Sequence, residues 1–299
     1  MKLSICVITM NRAEQLKKAL SSCLMCKLPQ DTEFVVIDNA SADHTERVVR
    51  EALGPCGCSY YYEKLAQNLG VGGGRNYAYE KACGDYAYML DDDAVIDCEK
   101  DPLFFVKAVG IMDQNPQFVT LTTQIYDTAW EKNRVGASGP MIAEGLFKCK
   151  MFCGGSHFLR RSFYKEPPYL PNKYGYEEIP PSLRAINAGK LNVFCSELLV
   201  IHNPAVNKWN FNDEKNHALL IKEISLSYAI KSMMYPKVML PVLKLATKRR
   251  IKKYMQNIKD ADVQVRDSVR AFCSEYPIKE KISVATVWRM FKDFGISVF

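Results

Sequence analysis

Three consecutive carboxylates, Asp91, Asp92 and Asp93, follow the apolar run Tyr86 to Leu90. Adjacent carboxylates repel one another and lose hydration at the end of a buried strand, so they need a counter-charge. Asp91 and Asp93, two positions apart, can turn toward one divalent cation while Asp92 faces elsewhere. Hard oxygen ligands favour Mn²⁺ or Mg²⁺, ions that commonly hold phosphates. A second candidate is the glycine-rich turn Asn68-Leu-Gly-Val-Gly72-Gly-Gly-Arg75-Asn76. Its glycines let backbone approach phosphate closely, and a helix N-terminus follows. It is not a dinucleotide fingerprint, because Arg75 stands where the third glycine would fall, and no Gly-Lys-Ser/Thr makes it a Walker loop. Arg75 is then placed to neutralise a phosphate or to pair with the aspartates. The third candidate is Glu177-Glu178, just ahead of a helix that opens with Pro180-Pro181 and stops near Gly189. Such a pair either complements the helix dipole or supplies a general base at a pocket edge. Two histidines, His157 and His202, stand near strand-like runs, and His202 is a candidate further metal ligand.

The elements that must position these residues alternate. Strands are expected at Leu3–Thr9, Glu33–Ile37, Ser59–Tyr62, Tyr86–Leu90 and Phe118–Gln124. Helices are expected at Ala13–Met25, Asp43–Leu53, Gly74–Cys83 and Phe104–Met112. This alternation predicts an α/β fold with a mostly parallel sheet covered by helices on both faces. Ligands in such sheets sit beyond the carboxyl ends of the strands. Three polar clusters fall there: Thr9-Met10-Asn11-Arg12, Asp38-Asn39-Ala40-Ser41 and Asp91-Asp92-Asp93. Together they predict a nucleotide site with a metal beside it.

In this order the segments resemble the family 2 glycosyltransferases of the GT-A fold, a Rossmann-like nucleotide-diphospho-sugar transferase sheet. Ser4 to Arg12 is similar to the family's first strand with its polar end, and Phe34 to Asp43 to its second. Asn68 to Asn76 resembles its glycine-rich segment, Leu90 to Asp93 its Asp-x-Asp metal motif, and Glu177-Glu178 its acidic pair. The resemblance covers residues 3 to 204. It implies an inverting, non-processive transfer from a nucleoside-diphosphate sugar, with UDP the expected carrier, to a saccharide or lipid-linked acceptor in bacterial cell-surface glycan assembly. It implies that Asp93 and Asp91, with His202, hold Mn²⁺ or Mg²⁺. Thr9, Asn11, Arg12, Asp38, Asn68, Gly72, Arg75, Asp91 and Asp92 would bind the nucleotide, Asp38 through the base. Glu178 would be the catalytic base, supported by Glu177. The chain departs from the family pattern in carrying Glu-Glu for the usual Glu-Asp, in Pro180, and in lacking a Gln-x-x-Arg-Trp motif.

The 299 residues suffice for one large domain plus an appendage. The expected division is a catalytic domain over 1–204 and a mainly helical, basic region over 205–299. Of the net charge of +7, residues 203–299 carry +9 and the rest −2. A basic amphipathic stretch over 242–258 suits contact with an anionic membrane surface, a solvated helix face or an oligomer contact. Acceptor selectivity is expected from loops near 125–150 and 205–215. With no signal peptide and no apolar run of membrane-spanning length, the chain reads as cytoplasmic, peripheral at most. Its eleven scattered cysteines then read as reduced thiols, and Cys23 and Cys26 fit the apolar face of a helix. Two other classes use some of these features. A metal-dependent nucleotidyltransferase would carry a basic glycine-rich signature near the first strand, which Thr9 to Arg12 lacks. A nucleic-acid-binding module working through the basic region would leave the aspartates unexplained, and no nucleic acid is expected as partner.

Overall fold

The computed structural model describes residues 1–134, 138–173, 175–204 and 216–299. Its first half alternates as expected: β1 (Leu3–Thr9), α1 (Ala13–Met25), β2 (Thr32–Asp38), α2 (Thr45–Leu53), β3 (Ser59–Lys64), α3 (Gly70–Lys81) and β4 (Tyr86–Asp91). The short β5 (Ala94–Ile96), α4 (Phe104–Gln114) and β6 (Phe118–Asp127) follow. Three short strands, β7 (Lys132–Asn133), β8 (Met141–Ala143) and β9 (Leu146–Lys148), lead to β10 (Ser156–Arg160), α5 (Ile179–Asn187) and β11 (Leu191–His202).

The sheet order is β3-β2-β1-β4-β10-β6-β11-β9-β8, with β5 paired to β11 and β7 to β6. Among the seven longer strands only β10 runs against its neighbours, and β6 and β11 return to the direction of β1. The other six therefore present their carboxyl ends on one edge. Register brings Thr9 opposite Asp38, Ile8 opposite Asp91, and Asp127 opposite His202. Alternate residues of β1, β2 and β4 enter two cores. Ile5, Phe34 and Tyr88 face one side, and Cys6, Val35 and Met89 face the other. Both faces are covered, so the strands are apolar throughout and polar residues collect at their ends.

The glycine-rich segment is helical earlier than periodicity suggests, since α3 opens at Gly70. Tertiary packing overrides helix propensity here. A Cβ on Gly72 would lie 1.9 Å from the Leu170 carbonyl oxygen, and one on Gly74 would lie 3.2 Å from Asn39 Nδ2.

Beyond β11 the described residues form α6 (His217–Met234), α7 (Leu240–Tyr254), α8 (Ala261–Glu275) and α9 (Val284–Phe294), closed by the turn Gly295–Val298. Pro241 is tolerated in the first turn of α7. Leu226, Ile230, Met234, Phe272 and Val287 pack with Leu170, Ile179 and Leu183 in one core. The apolar side of α7 is spent internally, with Leu243 and Ile251 buried, while Val242 and Leu245 stay exposed. At the C-terminal end Val287, Met290 and Val298 are buried, while Trp288 is exposed. Cys23 on α1 and Cys26 just past its end are buried free thiols. No described helix is long and apolar enough to cross a membrane. Tyr174 and the proposed selectivity loop 205–215 lie outside the described residues, as do residues 135–137 of the other loop.

Candidate functional site

A cavity of about 870 Å³ opens at the sheet edge where the strands end. Asp91 closes β4, and Asp92 and Asp93 form the turn into β5, so all three carboxylates reach the cavity. His202, the last residue of β11, arrives beside them, with Nε2 3.1 Å from Asp93 Oδ1. Asp91, Asp93 and His202 each place one ligand atom within 4.8 Å of the others. Two hard carboxylates and one imidazole suit Mn²⁺ or Mg²⁺, and the imidazole tilts the choice toward Mn²⁺. Asp92 points to Thr9 Oγ1 at 2.7 Å and Arg12 at 3.1 Å. Burial pushes its carboxyl up to about 6 against those two partners. Arg12 also bonds Asp93 at 2.7 Å. For Asp93 burial acts upward, but the His202 hydrogen bond and charge together with Arg12 outweigh it, and the carboxyl stays below its usual range.

Arg75 joins this cluster to the acidic pair. Arg75 is buried, projects from α3, and reaches Asp91 at 2.8 Å, Glu177 at 2.6 Å and Glu178 at 3.4 Å. Burial opposes its charge, yet the three carboxylates outweigh burial and hold the guanidinium ionised. Glu178 precedes α5 without capping it, so its carboxylate turns into the cavity. Burial, reinforced by the Glu177 charge, pushes Glu178 up to about 8. Glu177 is held closer to Arg75, and its Oε2 is buried with no hydrogen-bond partner. Gly154 leaves the space that Glu178 occupies, since a Cβ there would fall 1.9 Å from Glu178 Oε1. Only flexible side-chain ends obstruct that Cβ, so Gly154→Ala is expected to fold but to displace the carboxylate. A displacement of this size costs about 10²-fold in turnover. Parent-like turnover in that variant would separate Glu178 from the chemistry.

Of the expected nucleotide residues, Thr9, Arg12, Asn68, Arg75, Asp91 and Asp92 line the cavity. Three stand elsewhere. Gly72 is not in the wall, because the Leu170–Asn172 backbone fills the space beside it. Asp38 ends β2 as expected, but its carboxylate accepts from Ser41 N at 2.7 Å and Tyr62 Oη at 3.0 Å and lies behind the wall. Asn11 accepts from Ala42 N at 2.7 Å and ties the first strand's loop to the second's. Their neighbour Asn39 does line the cavity, and it clamps Leu69 N and the Gly70 carbonyl. His157 is a packing residue. It is bonded to Tyr169 Oη at 2.6 Å, and burial with the nearby Arg75 charge pushes it down to about 3.

Two residues escaped the sequence reading. Asp127 ends β6 and holds His202 Nδ1 at 3.1 Å, while Arg134 pairs with Asp127 at 2.8 Å. Asp127 obeys the same strand-end rule as Asp91 once β6 is extended three residues past Gln124. Nothing local marks Arg134.

The family model described as Glycosyl transferase family 2 matches residues 4–166. A glucosyltransferase of Campylobacter jejuni, GalNAc(5)-diNAcBac-PP-undecaprenol beta-1,3-glucosyltransferase, is 33% identical over 92 residues. That stretch is 31% of this chain and only 29% of the relative's length. Among solved structures, S. aureus TarS 1-349 in complex with UDP-GlcNAc superposes with a TM-score of 0.65 at 16% identity, covering 93% of this chain and 82% of that one. The mannosyltransferase PcManGT from Pyrobaculum calidifontis, in complex with GDP-Man and Mn²⁺, superposes with a TM-score of 0.59 at 16% identity, covering 97% and 79%. At these identities the structural likeness establishes the fold.

Proposed function

Because the chain belongs to glycosyl transferase family 2, we propose that it moves a single sugar, with inversion, from a nucleoside-diphosphate sugar to an acceptor hydroxyl in cell-surface glycan assembly. The observation that carries this reading is one cavity lined both by Asp91, Asp93 and His202 and by Glu178, with Arg75 bridging Asp91 and Glu178. UDP is the first carrier to test, since UDP-GlcNAc occupies TarS, and GDP the second, since GDP-Man occupies PcManGT. The Campylobacter jejuni enzyme's name describes an undecaprenol-linked acceptor, which favours a lipid-linked saccharide here. We assign catalysis to residues 1–204 and a supporting role to 205–299. The exposed Lys248, Arg249, Lys252 and Lys253 of α7, beside Val242 and Leu245, support peripheral contact with an anionic membrane.

In this mechanism Asp91, Asp93 and His202 hold the divalent ion, which when bound supplies Lewis-acid stabilisation of the leaving diphosphate. Thr9 and Arg12 fix Asp92 and Asp93 at the strand end. Glu178 accepts the proton of the acceptor hydroxyl as it attacks the anomeric carbon. Arg75 ties the acidic pair to Asp91.

Calorimetric titration of UDP with Mn²⁺ and then with EDTA tests the reading. Binding is expected only with Mn²⁺. Asp93→Asn removes a direct ligand and should weaken that binding by at least about tenfold, since even outer partners of a metal site are worth this much. Equal manganese-dependent affinity in variant and parent would sink the metal assignment.

A further inference from the structure

His202 ends β11, and strands pair with it along both edges. On one edge β5 runs antiparallel with Ala94 opposite His202, so Asp93 stands beside the ring. On the other edge β6 runs parallel with Asp127 opposite His202. The chain then turns, and β7 pairs back on β6 with Lys132 opposite Asp127, which returns Arg134 to the same place. Arg134 N donates to the Ile125 carbonyl at 2.7 Å and fixes that return. Thr128 N donates to the His202 carbonyl at 3.0 Å, so the backbone of His202 is held as well.

Both carboxylate oxygens of Asp127 are in use. Oδ1 accepts from Trp130 N at 3.1 Å. Oδ2 accepts from Arg134 Nη2 at 2.8 Å and faces His202 Nδ1 at 3.1 Å. Asp127 is buried, so these partners fix the position and the orientation of its carboxylate. On the other side of the ring, His202 Nε2 faces Asp93 Oδ1 at 3.1 Å. A neutral imidazole carries one proton, and only its bare nitrogen can give a lone pair to a metal. Nε2 is the nitrogen beside Asp93, so for ligation the proton belongs on Nδ1. Arg134 Nη2 also lies 3.0 Å from Nδ1 and 3.5 Å from Nε2. Arg134 can donate to Nδ1 only when that nitrogen is bare, and in that tautomer the proton on Nε2 closes it to an ion.

We propose that Asp127 is a positioning residue for the metal: it accepts the Nδ1–H of His202 and so keeps the Nε2 lone pair turned to the ion held with Asp91 and Asp93. Arg134 and Trp130 N hold Asp127 in place for this task. Without the Asp127 carboxylate, Arg134 is left facing Nδ1 and favours the wrong tautomer. The inference rests on the metal-dependent glycosyltransferase reading and deepens it. In this role Asp127 acts through His202 alone.

Titration of Mn²⁺ alone into the full chain, read as free Mn²⁺ by electron paramagnetic resonance, needs no turnover. Asp127→Asn keeps the side chain's volume and should weaken Mn²⁺ binding by about 10–100-fold, the worth of an outer partner of a metal site. Its amide can turn an N–H toward Nδ1 and select the wrong tautomer, as asparagine does in place of the orienting aspartate of a serine-protease triad. Arg134→Gln should weaken binding less, since Trp130 N still holds Asp127. Thr128→Val removes a hydroxyl that donates to the His202 carbonyl at 3.2 Å, and it should match the parent. Equal affinity in the parent and Asp127→Asn, or an equal loss in Thr128→Val, would overturn the role.

The tautomer is a readout that packing alone would not move, and it needs no variant. The chain has four histidines, few enough to assign each ring in a two-bond proton–nitrogen spectrum. In the parent with saturating Mg²⁺, His202 should carry its proton on Nδ1. A proton on Nε2 there would overturn the inference even if Asp127→Asn failed to fold. In Asp127→Asn the Nε2–H form should gain population, and weaker binding with an unchanged tautomer would mean that Asp127 serves packing only. UDP titration of the parent with Mn²⁺ keeps the two readings apart. Manganese-dependent UDP binding that Asp127→Asn leaves unchanged removes this role alone, and failure of the parent to bind either Mn²⁺ or UDP removes the glycosyltransferase reading as well.

Discussion

Glu178→Gln should lower turnover by at least about 10²-fold while leaving manganese-dependent UDP binding as in the parent, because the amide keeps the side chain's size and cannot take a proton. Among the described residues Glu178 forms no hydrogen bond with Asp91, Asp93 or His202, and Arg75 keeps its own bonds to Asp91 and Glu177, so the metal ligands lose no contact. The choice between the two glutamates follows from geometry. Glu177 Oε1 is held at 2.6 Å by Arg75, and Glu178 Oε1 more loosely at 3.4 Å. A proton acceptor must be free to meet the acceptor hydroxyl, and the looser carboxylate is. The pH profile supplies a second readout. Burial and the neighbouring Glu177 push Glu178 up to about 8, so its basic form gains population as pH rises toward that value. The rate should therefore climb with pH to about 8 and then level off, and Glu178→Gln should lack the climb. If Glu177→Gln instead abolishes turnover and Glu178→Gln does not, the base is Glu177.

The largest loss of stability is expected from Arg75→Met. Its guanidinium is buried and meets Asp91, Glu177 and Glu178, residues 16, 102 and 103 positions away. Removing one partner of a buried ion network leaves the others charged and unsolvated, which costs about 3–5 kcal/mol. Methionine keeps most of the stem volume, so the loss reports the charge rather than a void. Arg75→Lys should recover only part of it, because an ammonium cannot reach three carboxylates with a planar fork. Urea denaturation measures both. A midpoint for Arg75→Met equal to the parent's would mean that these carboxylates are already neutral or solvated.

The sequence determined the elements and the edge on which chemistry collects. Continuous burial along β1, β2 and β4, covered on both faces, requires apolar residues between their ends, so Thr9, Asp38 and Asp91 could be placed at strand ends from spacing alone. The Asp91-x-Asp93 alternation and the position of His202 were legible for the same reason. Periodicity is a property of neighbours along the chain and needs no knowledge of strand order. Tertiary structure decided which of those residues face the cavity. Asp38 and Thr9 stand opposite each other in register, yet Tyr62 and Ser41 close over the Asp38 carboxylate while Thr9 opens onto Asp92. Gly72 resembled a phosphate-cradling glycine, but the space beside it belongs to the Leu170 backbone, 98 positions later in the chain. The pairing of Arg75 with Glu177 and the support of His202 by Asp127 both join distant segments. Those meetings follow from strand order and from how α3 and α5 pack at the sheet edge, and local residue patterns carry no record of either.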